Sequence, residues 1–312
     1  MRGRPGKTGQ AQKPADDEPP LRAQLFSSDQ MKLHGRVLAE SHKLGSEPPS
    51  ERLLARLAEN ETVLIDARDL VAEAVLANLR IAPAGEWLLD NFYLIEEQIR
   101  MARRHLPKGY SRELPCLRNA PLADLPRVYD IALEVVAHGD GRVDPENLSS
   151  FVAAYQSVTI LTIGELWAIP IMLRLALIEN LRRVAARITA GRVERNRASH
   201  WSGLMAEIAA RDPKSLILTV ADMARSQPPM GSAFVAELSR SLQSQGSALS
   251  LPLAWIEQRL AESGQTIEQL VHAETQQQAA DQVSMSNSIG SLRFLGAMAW
   301  REFVETMSTV ER

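Results

Sequence analysis

Apolar residues recur at steps of three and four through most of this chain, the spacing that lines one face of a helix. The strongest run covers residues 161–188. Leu166, Ile169, Leu173, Leu177, Leu181, Val184 and Ile188 form one stripe, and Trp167, Ile171, Leu175 and Ile178 widen it. A helix apolar over so wide an arc is covered on two sides. Thr162 and Glu165 have the spacing of a capping box, in which each side chain satisfies a backbone N–H of the other. Pro170 sits inside the run and predicts a kink or local break, because its ring removes one hydrogen bond and crowds the carbonyl a turn back.

The same reading places helices along the rest of the chain. A short one over residues 25–43 carries Phe26, Met31, Leu33, Val37 and Leu38 and is stopped by Gly45 and Pro48-Pro49. A long one over 50–79 turns Leu53, Leu57, Leu64, Val71 and Val75 inward. Residues 86–104 form a third, striped by Leu88, Phe92, Ile95 and Ile99, with Glu96 and Arg100 as an i,i+4 pair. A loop with Pro115 and Pro121 follows. Pro126 opens the next helix, and Asp144-Pro145 opens another, with Asp as cap and Pro in the first turn. Beyond residue 200 the units are shorter: one from Asp212-Pro213 to before Pro228-Pro229, one over 232–245 ending at Gly246, and one over 252–262 ending at Gly264. A capping box at Thr266–Gln269 starts another, and a last helix runs over 292–312 with Phe303, Val304, Met307 and Val310. The fold class is therefore all-α, a multi-helix bundle or irregular helical array of ten or more helices with no sheet. The expected organisation is a disordered tail over 1–20, a first helical lobe over 21–200 and a second over 201–312. The last amphipathic pattern has no closing cap or glycine, as in a continuing or truncated sequence.

Composition agrees. Ala, Leu, Arg, Glu and Gln dominate, all good helix formers, and only 5% of the 312 residues are aromatic. The net charge of −3 gives no reason to expect a nucleic-acid partner. Residues 1–20 lack the apolar segment of a secretory signal. The most apolar run, residues 166–178, is shorter than the roughly 20 residues of a membrane span and holds Arg174. A single Cys116 excludes an internal disulfide and fits a reducing compartment.

Candidate chemistry is sparse. Gly6-Lys7-Thr8 has neither the preceding glycine nor the strand of a phosphate loop. His138, Asp140 and Asp144 could offer metal ligands, but their spacing fits neither a calcium loop nor a zinc site, and turn and cap chemistry accounts for them. Glu165 and Glu179 lie about 21 Å apart along one helix, too far to share a glycosidic bond. Their expected roles are the capping box and a pair with Arg183. Cys116 has no nearby His to activate it. Trp87, Trp167, Trp201, Trp255 and Trp300 could stack sugars, although their helical spacing suits core positions. Arg182, Arg183, Arg187, Arg192, Arg195 and Arg197 form a dense basic run, either a solvated face or a contact for anionic lipid or an acidic partner.

Several blocks carry a family resemblance. Residues 86–92 (EWLLDNF), 106–110 (LPKGY) with Leu114-Pro115, 126–129 (PRVY), 153–156 (AAYQ), 161–168 (LTIGELWA) and 179–183 (ENLRR) occur in this order. Together they resemble the N-terminal region of the cyclic β-1,2-glucan synthases, over about residues 21–312. The resemblance implies a large bacterial inner-membrane enzyme that builds β-1,2-glucan from UDP-glucose, cyclises it and trims it with a phosphorylase-like domain. The region it covers precedes the membrane spans and the glycosyltransferase. The chain has neither the Asp-x-Asp nor the Gln-x-x-Arg-Trp motif of such transferases, so no catalytic, cofactor or metal residue is carried over. The expectation is a non-catalytic helical scaffold, partnered by the catalytic and membrane part of a synthase at the cytoplasmic membrane face. The alternative is a free cytoplasmic adaptor for protein partners.

Overall fold

A computed structural model describes residues 18–45, 52–119, 122–243 and 249–309. Gly6-Lys7-Thr8, Pro48-Pro49, Pro121, Gly246, Val310 and most of the expected tail lie outside them. The helices are α1 (Ser28–Ser41), α2 (Arg52–Leu76), α3 (Pro83–Asp90), α4 (Phe92–His105), α5 (Arg127–His138), α6 (Pro145–Gln156), α7 (Ile163–Arg211), α8 (Leu216–Arg225), α9 (Ser232–Gln243), α10 (Ser250–Ala261), α11 (Ile267–Ala297) and α12 (Trp300–Met307). The all-α expectation holds. Its "no sheet" clause needs one correction: β1 (Leu44–Gly45) and β2 (Cys116–Leu117) pair antiparallel, Leu44 opposite Leu117. This two-residue ladder pins the end of the α1 segment to the loop before α5.

Side-chain caps set four of the helix starts. Thr162 Oγ1 accepts from Glu165 N at 3.2 Å, and Glu165 Oε2 accepts from Thr162 N at 2.8 Å. Thr266 and Gln269 make the same reciprocal pair at 3.2 and 3.0 Å. Asp144 caps α6 through Glu146 N and Asn147 N. A further box, Ser27 with Gln30, opens α1.

Three boundaries differ from the sequence reading. Helix α7 continues 49 residues to Arg211 and passes through Pro170 without interruption. Leu166, Ile169, Ile171 and Met172, all buried around the proline, supply the packing that overrides its local cost. The helix expected over 86–104 divides at Asn91, whose Nδ2 donates to Trp87 O at 2.9 Å and so competes with the backbone ladder. The last expected helix is the end of α11 followed by α12, with Trp300 Nε1 donating to Leu295 O across the break at 2.9 Å.

Two apolar clusters form. The larger draws on α1 to α6, the first half of α7, and Met285, Ile289, Leu292, Leu295, Phe303 and Val304 from α11 and α12. The smaller gathers Ala198 and Met205 of α7 with Leu216, Val220 and Met223 of α8, Phe234, Val235, Leu238 and Leu242 of α9, Ile256 and Leu260 of α10, and Ile267 and Leu270 of α11. Helices α7 and α11 thus run through both. No described helix is long and apolar enough to cross a membrane.

Candidate functional site

The first half of α7 buries charge, and the sequence supplies the partners in three dimensions. Glu179 is fully buried. It accepts from Arg56 Nη2 at 2.6 Å and Nε at 2.9 Å, Asn60 Nδ2 at 2.9 Å, Arg182 Nη2 at 2.8 Å and Arg183 Nε at 2.8 Å. Arg182 and Arg183 meet it because residues three and four apart share a helix face. Arg56 and Asn60 come together from α2 by the same rule. Glu18 adds a second carboxylate, 3.0 Å from Arg56 and 3.2 Å from Arg183, and also pairs with Arg182. Pro19 O and Asn180 Oδ1 fix the strap behind it by accepting from Arg183 Nη1 at 3.0 Å and Leu21 N at 2.9 Å. Burial pushes the Glu179 carboxyl up, but hydrogen bonds and charge from Arg56, Arg182 and Arg183 outweigh it and hold the group well below the usual carboxylate range.

A second buried pair sits at the start of the helix. Arg127 Nε and Nη2 donate to Glu165 at 2.5 and 2.8 Å, a bidentate contact, and Nη2 also reaches Ile160 O at 2.8 Å. Burial lowers the Arg127 pKa, yet the Glu165 bond more than compensates. Glu165 therefore serves the capping box and an ion pair at once.

Between the two clusters the charges line an open cleft. Arg195 pairs with Glu274 of α11 at 3.1 Å, Arg187 pairs with Asp281, and Arg192 donates to Arg80 O at 2.9 Å. Ser232 and Gln278 also donate to Glu274, at 2.8 and 2.7 Å. One cavity of about 330 Å³ is bounded by Arg80, Arg195, Glu237, Arg240 and Glu274. Another of about 300 Å³ adjoins it at Arg195 and Glu274 and reaches Arg187, Glu194 and Asp281. Four arginines face four carboxylates, so the cleft carries no net sign. Burial lowers the Arg187 pKa to about 10, helped by Arg22 and opposed by Asp140 and Glu274. Burial likewise lowers Arg195.

The six arginines read from the sequence as one run are thus divided. Arg182 and Arg183 join the Glu179 network, Arg187, Arg192 and Arg195 turn toward α11 and Arg80, and Arg197 is exposed. Five of the six have internal partners. Arg56, Arg127, Glu18, Glu274 and Asp281 were missed, because nothing in local spacing links them to α7.

The other candidates separate as well. The Cys116 thiol is buried and donates to Leu114 O at 3.2 Å. Burial, then Asp124 and Glu165, pushes it up to about 12, which keeps it from acting as a thiolate. Trp167 is half exposed, and the remaining tryptophans are partly buried. Of the turn residues, Asp144 caps α6 and Asp140 pairs with Arg22 at 3.2 Å. His138 faces away from both, toward His34 and Glu134.

Fold and site together define a helical unit whose buried carboxylates are paired with arginines from within. No family model matches the chain. Over 296 residues, 93% of its length, it is 33% identical to the cyclic beta-(1,2)-glucan synthase NdvB of Rhizobium meliloti (strain 1021). The chain spans about a tenth of that protein's length. The resemblance carried by the sequence blocks is thereby borne out: this helical unit is related to one region of a cyclic β-1,2-glucan synthase.

Proposed function

We propose that the chain is the non-catalytic N-terminal scaffold region of a cyclic β-1,2-glucan synthase, whose catalytic part uses UDP-glucose. In this role it packs against the catalytic and membrane part at the cytoplasmic face of the bacterial inner membrane. The observation that carries the reading is the identity to a glucan synthase across 93% of the chain. It takes in most of the helical frame rather than one motif. The pairing of the buried carboxylates of α7 with internal arginines supports a structural role for that helix. Exposed apolar residues such as Ile217, Leu218 and Trp167 leave surface for a neighbouring domain.

The test is deletion of the region from the parent synthase. The proposal expects loss of assembly and of glucan synthesis from UDP-glucose in membranes. A deleted enzyme that assembles and remains fully active would overturn it and favour an independent adaptor.

A further inference from the structure

Helices α1 and α5 bring three ligand-type side chains to one point. Glu134 and His138 stand one turn apart at the end of α5, and His34 arrives from the middle of α1. His34 Nε2 lies 2.6 Å from Glu134 Oε2, and His138 Nε2 lies 3.3 Å from the same oxygen. One ligand atom from each residue falls within 4.8 Å of the others.

The hydrogen bonding around His138 leaves a gap in its chemistry. Its Nδ1 is 2.7 Å from Gln24 O. A carbonyl only accepts, so Nδ1 carries the hydrogen, and in the neutral ring Nε2 is a bare lone pair. That lone pair stands 3.3 Å from a carboxylate oxygen, another acceptor. Two acceptors this close repel unless a positive charge, a proton or a metal ion, stands beside both.

Three features favour the metal. A ring N–H donated to a backbone carbonyl is the outer contact that orients metal-binding histidines. The Phe26 ring stacks on His138 at 3.7 Å and 9°, and His34 stands edge-on at 4.5 Å, so both imidazoles are held in place. The site is half shielded: the side chains of His34, Glu134 and His138 are 22%, 30% and 10% exposed, which leaves one side for a water.

We infer that His34, Glu134 and His138 form a three-ligand site for a divalent transition metal of the zinc class, with its fourth position open. Two histidines and one glutamate with an open position are an established zinc donor set. Tetrahedral zinc bonds of about 2.0–2.1 Å place ligand atoms roughly 3.3 Å apart. The His138–Glu134 separation already has this value, and His34 needs to withdraw by about 0.7 Å from Glu134 to reach it. The ion would clip α1 and the Gln24–Phe26 segment to α5 across about 100 residues of chain, independently of any scaffold role.

The experiment is a titration of the full chain, stripped with EDTA, with ZnCl2 by calorimetry, and with CoCl2 by visible absorption. The expected result is one zinc per chain and the intense visible bands of four-coordinate cobalt. His34→Ala, His138→Ala and the near-isosteric Glu134→Gln should each weaken zinc binding at least tenfold, while circular dichroism in EDTA shows the fold retained. Should the histidine variants fail to fold, Glu134→Gln and the cobalt spectrum of the unaltered chain decide. Zinc binding that is unchanged in the variants would place the metal elsewhere and overturn the site. Absence of binding, or only the weak bands of six-coordinate cobalt, would mean that a proton bridges the acceptors, and would overturn it equally.

Discussion

The two halves of α7 solve different problems. From Ile171 to Arg182 every residue is buried, so the helix is surrounded. Beyond Gly191 only a stripe is buried, at Arg192, Arg195, Ala198, Ser202 and Met205, and the helix packs on one side, against α8, α9 and α11. A surrounded helix has no outer face for its polar residues. Each must find a partner inside, and Glu179, Asn180, Arg182 and Arg174 do: Asn180 Nδ2 donates to Ser284 and Ser288 at 3.0 Å, and Arg174 Nε to Gln98 at 2.8 Å. A helix packed on one side needs fewer such partners: Arg195 lies in its buried stripe and pairs with Glu274 where both line the cleft. The first half therefore concentrates its stability in a few irreplaceable contacts, and the second spreads it over apolar contacts and the Arg195–Glu274 pair.

The largest effect should come from breaking the first half's charge balance. Glu179→Ala removes the buried carboxylate that Arg56, Arg182 and Arg183 share, and should destabilise the chain by about 3–5 kcal/mol in urea unfolding. The same carboxylate predicts an acid slope. Its folded pKa lies below its unfolded value near 4.3, so its stabilisation is present above that pH and is lost as pH falls through and below it. Urea midpoints measured from pH 6 to pH 3 should fall, and Glu179→Gln should flatten the fall.

In the second half, Met205→Ala removes a fully buried side chain from the smaller cluster and should cost about 2–5 kcal/mol. Hydrogen exchange would separate the two cases, with Met205→Ala loosening α8 to α10 first and Glu179→Ala loosening α2 and α7. Smaller still is Thr266→Ala, which deletes the α11 capping box at a cost of about 1 kcal/mol. At the foot of the scale, Arg211→Ala removes a pair with Glu207 that is exposed on both sides, and should shift stability by less than about 0.5 kcal/mol. Cys116 offers a probe of the larger cluster: iodoacetamide at pH 8 should leave it unmodified until urea unfolds the chain.

Local signals were legible and distant ones were not. The Thr162–Glu165 and Thr266–Gln269 boxes, the Asp144 cap and the Glu179–Arg183 pair are contacts within one turn, and spacing alone identifies them. The stripes also named the core, from Leu166 to Ile188. The end of α7 was missed because the apolar stripe stops at Ile188 and the arginines around it suit a helix C-terminus. Instead Gly191 leaves room for the Arg195 guanidinium, which would stand 3.2 Å from a Cβ there, while Arg195 turns to Glu274. Glu18 was assigned to a tail because its partners, Arg56, Arg182 and Arg183, lie in other parts of the chain. The same distance separates His34 from Glu134 and His138. Spacing shows that the latter two share a face of α5, but it says nothing about which helix packs against them.

The most direct test of the scaffold account is an immunoblot of host cell fractions with an antibody raised against residues 86–197, which include the buried half of α7. The account predicts one very large band in the membrane fraction, the size of an intact synthase. A soluble band near 34.5 kDa would contradict it, because the helical unit would then act apart from any synthase.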